Sequence, residues 1–427
     1  MRRINESRRG WTTIMALALL PLSGFAMDVF IPSLPDMAVQ LHASPAAIQL
    51  TLSLFIVSYG ISQLIVGGLI DTYGRYIPSL AAMLVFSVSS FIIAWSTNLQ
   101  TIYAMRIVQG FTVAVIAISK RAYFMDLYTG EALKKYTSLF SVIWAIAPIV
   151  APFLGGFFQT TWGWSSNFIF LGYFGLAFFI IEAAIGGESM KAAQPLSVSS
   201  MVQTYSKMIR TPDFTSGIVV LGLTYGMVLL YGMCSPFLIE HQLHFPATIT
   251  GYCSLFSGLS MMIGGSVSRI LVNKPFSKKL ILANIAQLFV VVVMIPLTMY
   301  YHNLFTLLIY VFLLHSTSGF IFNNLMSYCL IRFPQYAGKA SGLTGGGFAV
   351  VTSILSSFMV KTISITSQAA LGLAYGIIAV IVFLFLIRTK WIGSEKEKGE
   401  MDDADDNGTV WAEEYPHKAT VREIPAS

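Results

Sequence analysis

Two residues carry the chemistry that most needs an explanation in this sequence: Asp28 and Arg106. Each stands inside an apolar run about twenty residues long, the length of a helix that crosses a bilayer. An ionisable group in such a run costs about 2.5–3.5 kcal/mol on insertion scales, so it persists where it faces a partner, a cavity or a proton path. A carboxylate close to an arginine can take up and release a proton as its surroundings change. His315 lies midway along another apolar run, beside Ser316, Thr317 and Ser318. It can titrate near neutral pH, or rest neutral and hydrogen-bonded, which is the commoner fate. Asn323 and Asn324 can face a cavity or bond one helix to another. Tyr59, Trp144, Tyr225 and Tyr231 offer ring faces to an aromatic molecule, or serve in packing and interface belts. Together these seven polar and aromatic residues form the candidate substrate-binding set.

These groups need elements to hold them, and the composition allows one kind. The chain has 427 residues, of which 55% are hydrophobic and 11% charged. A soluble domain carries about 25% charged residues. Only helices or closed barrels satisfy their backbone in lipid. The apolar runs are long and lack strict alternation, so they predict helices. The expected fold is an all-α membrane protein with twelve transmembrane helices in two six-helix bundles. Spans are predicted near 11–34, 46–70, 77–95, 101–122, 136–158 and 164–186, then 214–238, 247–271, 279–300, 303–327, 337–360 and 368–388. The domain plan is an N-terminal bundle over 1–186, a linker over 187–213, a C-terminal bundle over 214–388 and an acidic, disordered tail over 389–427. Within the linker, Val198, Met201, Val202, Tyr205, Met208 and Ile209 recur at helical spacing, which fits an amphipathic surface helix as well as a plain linker.

Lys and Arg set the expected orientation. They crowd the loops on one side, from Arg75 to Lys390, while the opposite loops hold only Lys361. Such a bias places both termini in the cytoplasm. The net charge of +6 therefore serves topology, and nucleic acid is not an expected partner. The three cysteines, Cys234, Cys253 and Cys329, all lie in apolar runs, and neither a disulfide framework nor a metal site is expected. No phosphate-binding G-x-x-x-x-G-K-[ST] loop is present, so a proton gradient is the expected energy source and no cofactor is implied. With the predicted boundaries, Asp28 and Arg106 each lie roughly 8–9 Å below the outer rim, at equal depth, where they can pair directly or through water.

At this point a family resemblance enters. Gly67 to Arg75 reads G-G-L-I-D-T-Y-G-R and resembles the signature loop of the major facilitator superfamily. Arg106-Ile107-Val108-Gln109-Gly110 resembles its fourth-span motif. Asp28-Val29-Phe30-Ile31-Pro32 is similar to the first-span motif of twelve-span drug:proton antiporters, and Ala147 to Gly156 to their fifth-span motif. The form is closest to the bicyclomycin-resistance (Bcr/CflA) drug-efflux subfamily. The resemblance implies that Asp71 and Arg75 help to lock the halves together, Arg75 pairing with an acid on the fourth span, for which Asp126 is the candidate. It implies a conformational set of Gly67, Asp71, Gly74, Arg75, Gln109, Gly110, Asp126, Pro148, Pro152, Gly155 and Gly156. On its own physics, Asp71 can face the N-terminus of another helix, and the prolines and glycines of the fifth span bend and thin it. The chain departs from the pattern at Thr72 and Tyr76, where the loop is usually basic, and at Ala147 and Ala151, where glycines are usual.

The resulting expectation is a proton-coupled exporter of drugs or other small molecules, working by alternating access in the inner membrane as a monomer. Asp28 and Arg106 are the coupling pair, and a small-molecule substrate, protons and the lipid bilayer are the partners. Three alternatives remain open: a dedicated exporter of a self-made metabolite such as a siderophore, an uptake symporter of the same fold, and a membrane-embedded enzyme or sensor. The last is disfavoured by scattered histidines and by the lack of a soluble output domain.

Overall fold

The computed structural model describes residues 3–4, 9–190, 198–333, 336–363 and 365–391. The acidic tail expected from 389 onward lies outside them beyond Trp391. The described chain is helical almost throughout. The first span, Arg9–Gln40, is broken into α1 (Arg9–Leu19), α2 (Leu22–Asp28), a 3-10 turn at Ile31–Ser33 and α3 (Leu34–Gln40). Then follow α4 (Pro45–Tyr73), α5 (Tyr76–Trp95), α6 (Leu99–Leu127), α7 (Gly130–Trp162) and α8 (Ser165–Ile185). A short α9 (Val198–Ile209) precedes α10 (Pro212–Phe237), which ends in one π turn, Leu238–Gln242. The second set continues with α11 (Ala247–Ile270), α12 (Phe276–Tyr300), α13 (Leu304–Ile331), α14 (Ala337–Ile363) and α15 (Gln368–Arg388).

Local sequence explains the boundaries. Pro21 stands at the N-cap of α2. Pro32 lacks an amide hydrogen and disfavours helix in the residue before it, so the backbone leaves the α-helix just after Asp28. Ser44 caps α4 by accepting the amide of Ala47, with Pro45 at the first helical position. A reciprocal capping box between Asn303 and Thr306 starts α13. At the end of α4 the chain turns through Gly74 at φ +95°, a conformation that side-chain-bearing residues rarely adopt.

Ten of these helical segments are long and apolar enough to cross a membrane. The other two long helices, α7 and α11, pack on one another. The first span is the main departure from the sequence expectation of 11–34. It is longer and interrupted, so Asp28 lies well inside the span rather than near its rim. The break, set by Pro32, was not anticipated.

The start of α1, the end of α15 and α9 share one face of the molecule, here the terminal face; the loops near Gln40, Trp162 and Tyr300 form the distal face. Trp95, Trp162, Tyr300 and Tyr301 are exposed there, in keeping with an interface belt. Within the halves, α4 packs on α6 and α5 on α8, while α11 packs on α13 and α12 on α15. Between the halves, the second span of each meets the fifth of the other: α4 on α14, and α7 on α11. Small residues permit that approach. A methyl group added at Gly346 would come within 2.5 Å of the Gly60 carbonyl oxygen, and one at Gly251 within 2.8 Å of the Pro152 carbonyl oxygen.

The linker helix α9 buries Met208 and exposes Val198, Val202 and Ile209. It touches both halves: the Tyr205 hydroxyl donates to the Leu64 carbonyl at 3.1 Å, and Lys339 Nζ to Thr204 Oγ1 at 3.0 Å.

Candidate functional site

The break in the first span places Asp28 at the last position of α2, where its carboxylate is only 5% exposed. One oxygen, Oδ2, is buried and has no hydrogen-bond partner among the described residues. Arg106 projects from α6 toward the same break and is fully buried. Its Nη1 donates to the Ala26 carbonyl at 3.0 Å and to Gln109 Oε1 at 2.8 Å, and its Nε donates to the Thr51 carbonyl at 3.3 Å. The guanidinium lies over the rings of Phe30 at 4.5 Å and Phe55 at 4.4 Å, an arrangement that favours a desolvated cation. Gln109 is fixed in turn, its Nε2 donating to Ser90 Oγ at 2.8 Å.

Asp28 and Arg106 are close enough to feel each other's charge. They form no direct ion pair among the described contacts, which corrects one form of the expected pairing. The guanidinium is aimed instead at carbonyls that the broken helix and α4 leave available. The carboxylate is thus held beside a fixed positive charge without being locked to it.

Asp28 lines a cavity of about 450 Å³ between the halves. Met27 and Ile31 join it from the first span, and Ile149 and Pro152 from α7. Tyr225 and Tyr231 come from α10, Ser254 and Ser257 from α11, and Phe322 and Asn323 from α13. The cavity extends to the exposed Arg269 in the last turn of α11, so it leads toward the terminal face. Toward the distal face the halves are closed. Gln49 Nε2 donates to the Met233 carbonyl at 2.6 Å, and Ser53 is bonded by Ser353 and Ser357 at 2.9 and 2.7 Å.

The sequence candidates fall into three groups. Asp28, Tyr225, Tyr231, Asn323 and Pro152 line the cavity. His315 does not; it stands behind the wall, its Nδ1 2.7 Å from Ser257 Oγ and its Nε2 3.2 Å from the Tyr375 hydroxyl. Asn324 returns its amide to the Phe320 carbonyl of its own helix, and Tyr59 stacks on Phe55; neither lines the cavity. Asn323 combines both expected roles, since its Nδ2 also donates to Ser268 Oγ at 2.6 Å. The side chains of Trp144 and Pro148 lie outside the described residues, although α7 runs through both.

At the terminal face the signature loop is ion-paired. Arg75 meets Asp71 at 2.7 Å and Asp126 at 3.3 Å, and Ser189 donates to Asp126 at 2.8 Å. The carboxylate seated on a helix N-terminus is Glu188, not the expected Asp71. It accepts from the amides of Arg75 and Tyr76 at 3.0 and 3.1 Å, where α5 begins and unsatisfied amides favour an anion. Gly67 has open space around it, while Gly110 is pressed against the Phe55 carbonyl and Ser58 of α4. Gly155 is pressed against the Val29 carbonyl in the break, and Gly156 against Ala247 of α11. The fifth span therefore touches both the Asp28 break and the opposite half.

Sequence reasoning missed a further buried ion pair. Lys120 of α6 and Glu182 of α8 meet at 2.7 Å with side chains 5% and 4% exposed. It also passed over Ser254 and Ser257 on the cavity wall.

The sequence pattern of the Major Facilitator Superfamily matches residues 17–356. An uncharacterised MFS-type transporter, YdgK of Bacillus subtilis, is 29% identical over 86% of this chain and 92% of its own length. Multidrug resistance protein D of Escherichia coli is 24% identical, with 87% and 93% covered. A bicyclomycin resistance protein homolog of Haemophilus influenzae is 23% identical, with 90% and 98% covered. Among solved structures, a D-xylose–proton symporter superposes with a TM-score of 0.66 at 15% identity, covering 91% of this chain and 98% of that one. The last likeness concerns the fold alone.

Proposed function

Because this chain belongs to the Major Facilitator Superfamily, a family of multi-pass membrane transporters, we propose that it is a proton-coupled exporter of small molecules that works by alternating access. One observation carries the coupling: a buried carboxylate with an unpartnered oxygen, at a helix break, on the wall of the cavity between the halves. In this reading Asp28 is the proton carrier. When it is ionised, its charge balances that of Arg106, and the cavity accepts cargo from the terminal face. Protonation from the distal side removes that balance, favours a rearranged break and releases cargo there. Gly155, in contact with the break, passes the change to α7 and so to the interface with α11.

The charge bias supports a cytoplasmic terminal face, with both termini inside and the protein in the inner membrane of a bacterial cell. Relatives named for multidrug and bicyclomycin resistance support export. The second reading, a dedicated exporter of one endogenous metabolite, keeps the same machinery. It is favoured by the scarcity of acids, since Asp28 is the sole carboxylate among the described cavity-lining residues.

The test uses purified protein in vesicles, with drugs and siderophores as cargo. An imposed proton gradient should drive accumulation in the wild type. Asp28→Asn should lose that accumulation yet retain exchange of cargo down its own gradient. Full gradient-driven accumulation by Asp28→Asn would overturn the reading.

A further inference from the structure

The cavity has a second polar wall that proton coupling does not use. It lies on α11 of the C-terminal half, where Ser254 and Ser257 line the cavity. A buried helical serine ordinarily returns its hydroxyl to a carbonyl one turn back. Ser260, on the same helix, does so, donating to the Phe256 carbonyl at 2.7 Å. Ser254 does not: it is 7% exposed, and its hydroxyl is buried without a partner. Ser257, 4% exposed, bonds instead to His315 Nδ1 at 2.7 Å. An unmade bond to a buried hydroxyl costs about 1–3 kcal/mol, so such a group persists where something else completes it.

His315 gives this wall a particular property. Its second nitrogen faces the Tyr375 hydroxyl at 3.2 Å, and its ring meets Tyr231 edge to face at 5.3 Å. Both polar partners are hydroxyls, so both neutral tautomers satisfy the pair. In one, Ser257 donates to Nδ1 and offers lone pairs to the cavity. In the other, Nδ1–H donates to Ser257, whose own proton is freed for the cavity. Ser257 can therefore present an acceptor or a donor without any heavy atom moving.

We infer that Ser254 and Ser257 form a cargo-reading subsite on the C-terminal wall, which takes an uncharged hydrogen-bonding group such as a hydroxyl, carbonyl or amide, with His315 as the positioning residue behind it. The inference rests on the transporter reading of the cavity and adds the residues that discriminate cargo. The charges lining the cavity agree with it. They are Asp28 at the deep end and Arg269 at the mouth, in the last turn of α11 well beyond Ser257; among the described lining residues no other is charged. The apolar body of the cargo lies against Phe322 and against Met261, Met262 and Met326, whose flexible thioethers adapt to shape.

The test is equilibrium binding to the purified full chain in detergent without a proton gradient. The probes are neutral aromatic molecules carrying hydroxyl and amide groups, such as chloramphenicol, and permanent aromatic cations without them, such as tetraphenylphosphonium. Ser257→Ala should weaken the neutral probes about three- to ten-fold, one hydrogen bond's worth, and leave the cations unchanged. Ser257→Thr should restore the loss. His315→Phe should cost as much as Ser257→Ala, and the double variant no more than either, because both remove one interaction. A merely structural histidine would add its effect to that of Ser257→Ala and weaken neutral probes and cations alike. Equal binding of neutral probes by wild type and Ser257→Ala would overturn the subsite, and so would a wild type that binds only the cations or none of the neutral probes. The assay is independent of coupling: its failure leaves the role of Asp28 standing, and failure of the Asp28→Asn transport test leaves the subsite standing.

Discussion

In the N-terminal half, the buried polar residues include charged ones within the spans: Asp28, Arg106, and the Lys120–Glu182 pair between α6 and α8. In the C-terminal half, the described membrane interior holds amides, hydroxyls and an imidazole. Asn284 Nδ2 bonds Gln287 at 3.0 Å, Gln287 Nε2 bonds Ser318 at 2.9 Å, and His315 joins Ser257 to Tyr375. The buried acid of that half, Asp213, sits in the first turn of α10 and pairs with Arg332 at the terminal rim. Two bundles with matching helix pairings thus handle polarity differently. A half that carries fixed and exchangeable charge is suited to moving a proton. A half whose interior polarity is neutral, with hydroxyls such as Ser254 left unpartnered, is suited to reading cargo without trapping ions.

The comparison can be broken at several points. The largest effect on folding is expected at the Lys120–Glu182 pair. Lys120→Met leaves a carboxylate buried alone and should cost about 3–5 kcal/mol in stability, read by thermal denaturation in detergent. Lys120→Met with Glu182→Leu should recover most of that loss. If the double variant is no more stable than the single, the pair is not simply an interior brace. Next comes Gly155→Val. Its added atoms meet the Val29 carbonyl in the break, an overpacking of about 1–3 kcal/mol. Transport rate should fall more than cargo affinity, since the break must rearrange; equal losses in both would detach Gly155 from the moving parts.

Smaller effects belong to the neutral half. Ser257→Ala should change affinity for hydrogen-bonding cargo by about three- to ten-fold, with a stability loss of about 1–3 kcal/mol from the His315 nitrogen left unpartnered. The least is expected at the rim: Arg332 is partly exposed and the buried Asp213 keeps the Tyr328 hydroxyl, so Arg332→Ala should shift stability by about 1 kcal/mol. A large loss there would show that charge at the rim of the second half matters as much as charge inside the first.

The sequence exposes this division unevenly. Twelve apolar runs were readable because lipid demands about twenty apolar residues wherever a helix crosses. That included α7 and α11, which meet across the halves at Gly156 and Gly251. The break at Asp28 was written in Pro32, yet it read only as part of a motif. A proline's effect on a helix depends on which carbonyls its neighbours then satisfy, here through Arg106. Lys120 and Glu182 stood in predicted spans, near the ends that face the termini. Sequence does not separate a side chain that reaches the rim from one that pairs inward. His315 and Ser257 are 58 residues apart, and only the packing of α11 on α13 brings them together.

The account's central claim is that Asp28 exchanges a proton as cargo comes and goes. The most direct measurement is proton release or uptake by the purified protein, in weakly buffered detergent with a pH indicator, when cargo is added. The account predicts proton release from the wild type on cargo binding, and none from Asp28→Asn although it still binds. Cargo binding that moves no proton in the wild type across the working pH range, or an undiminished signal in Asp28→Asn, would contradict it.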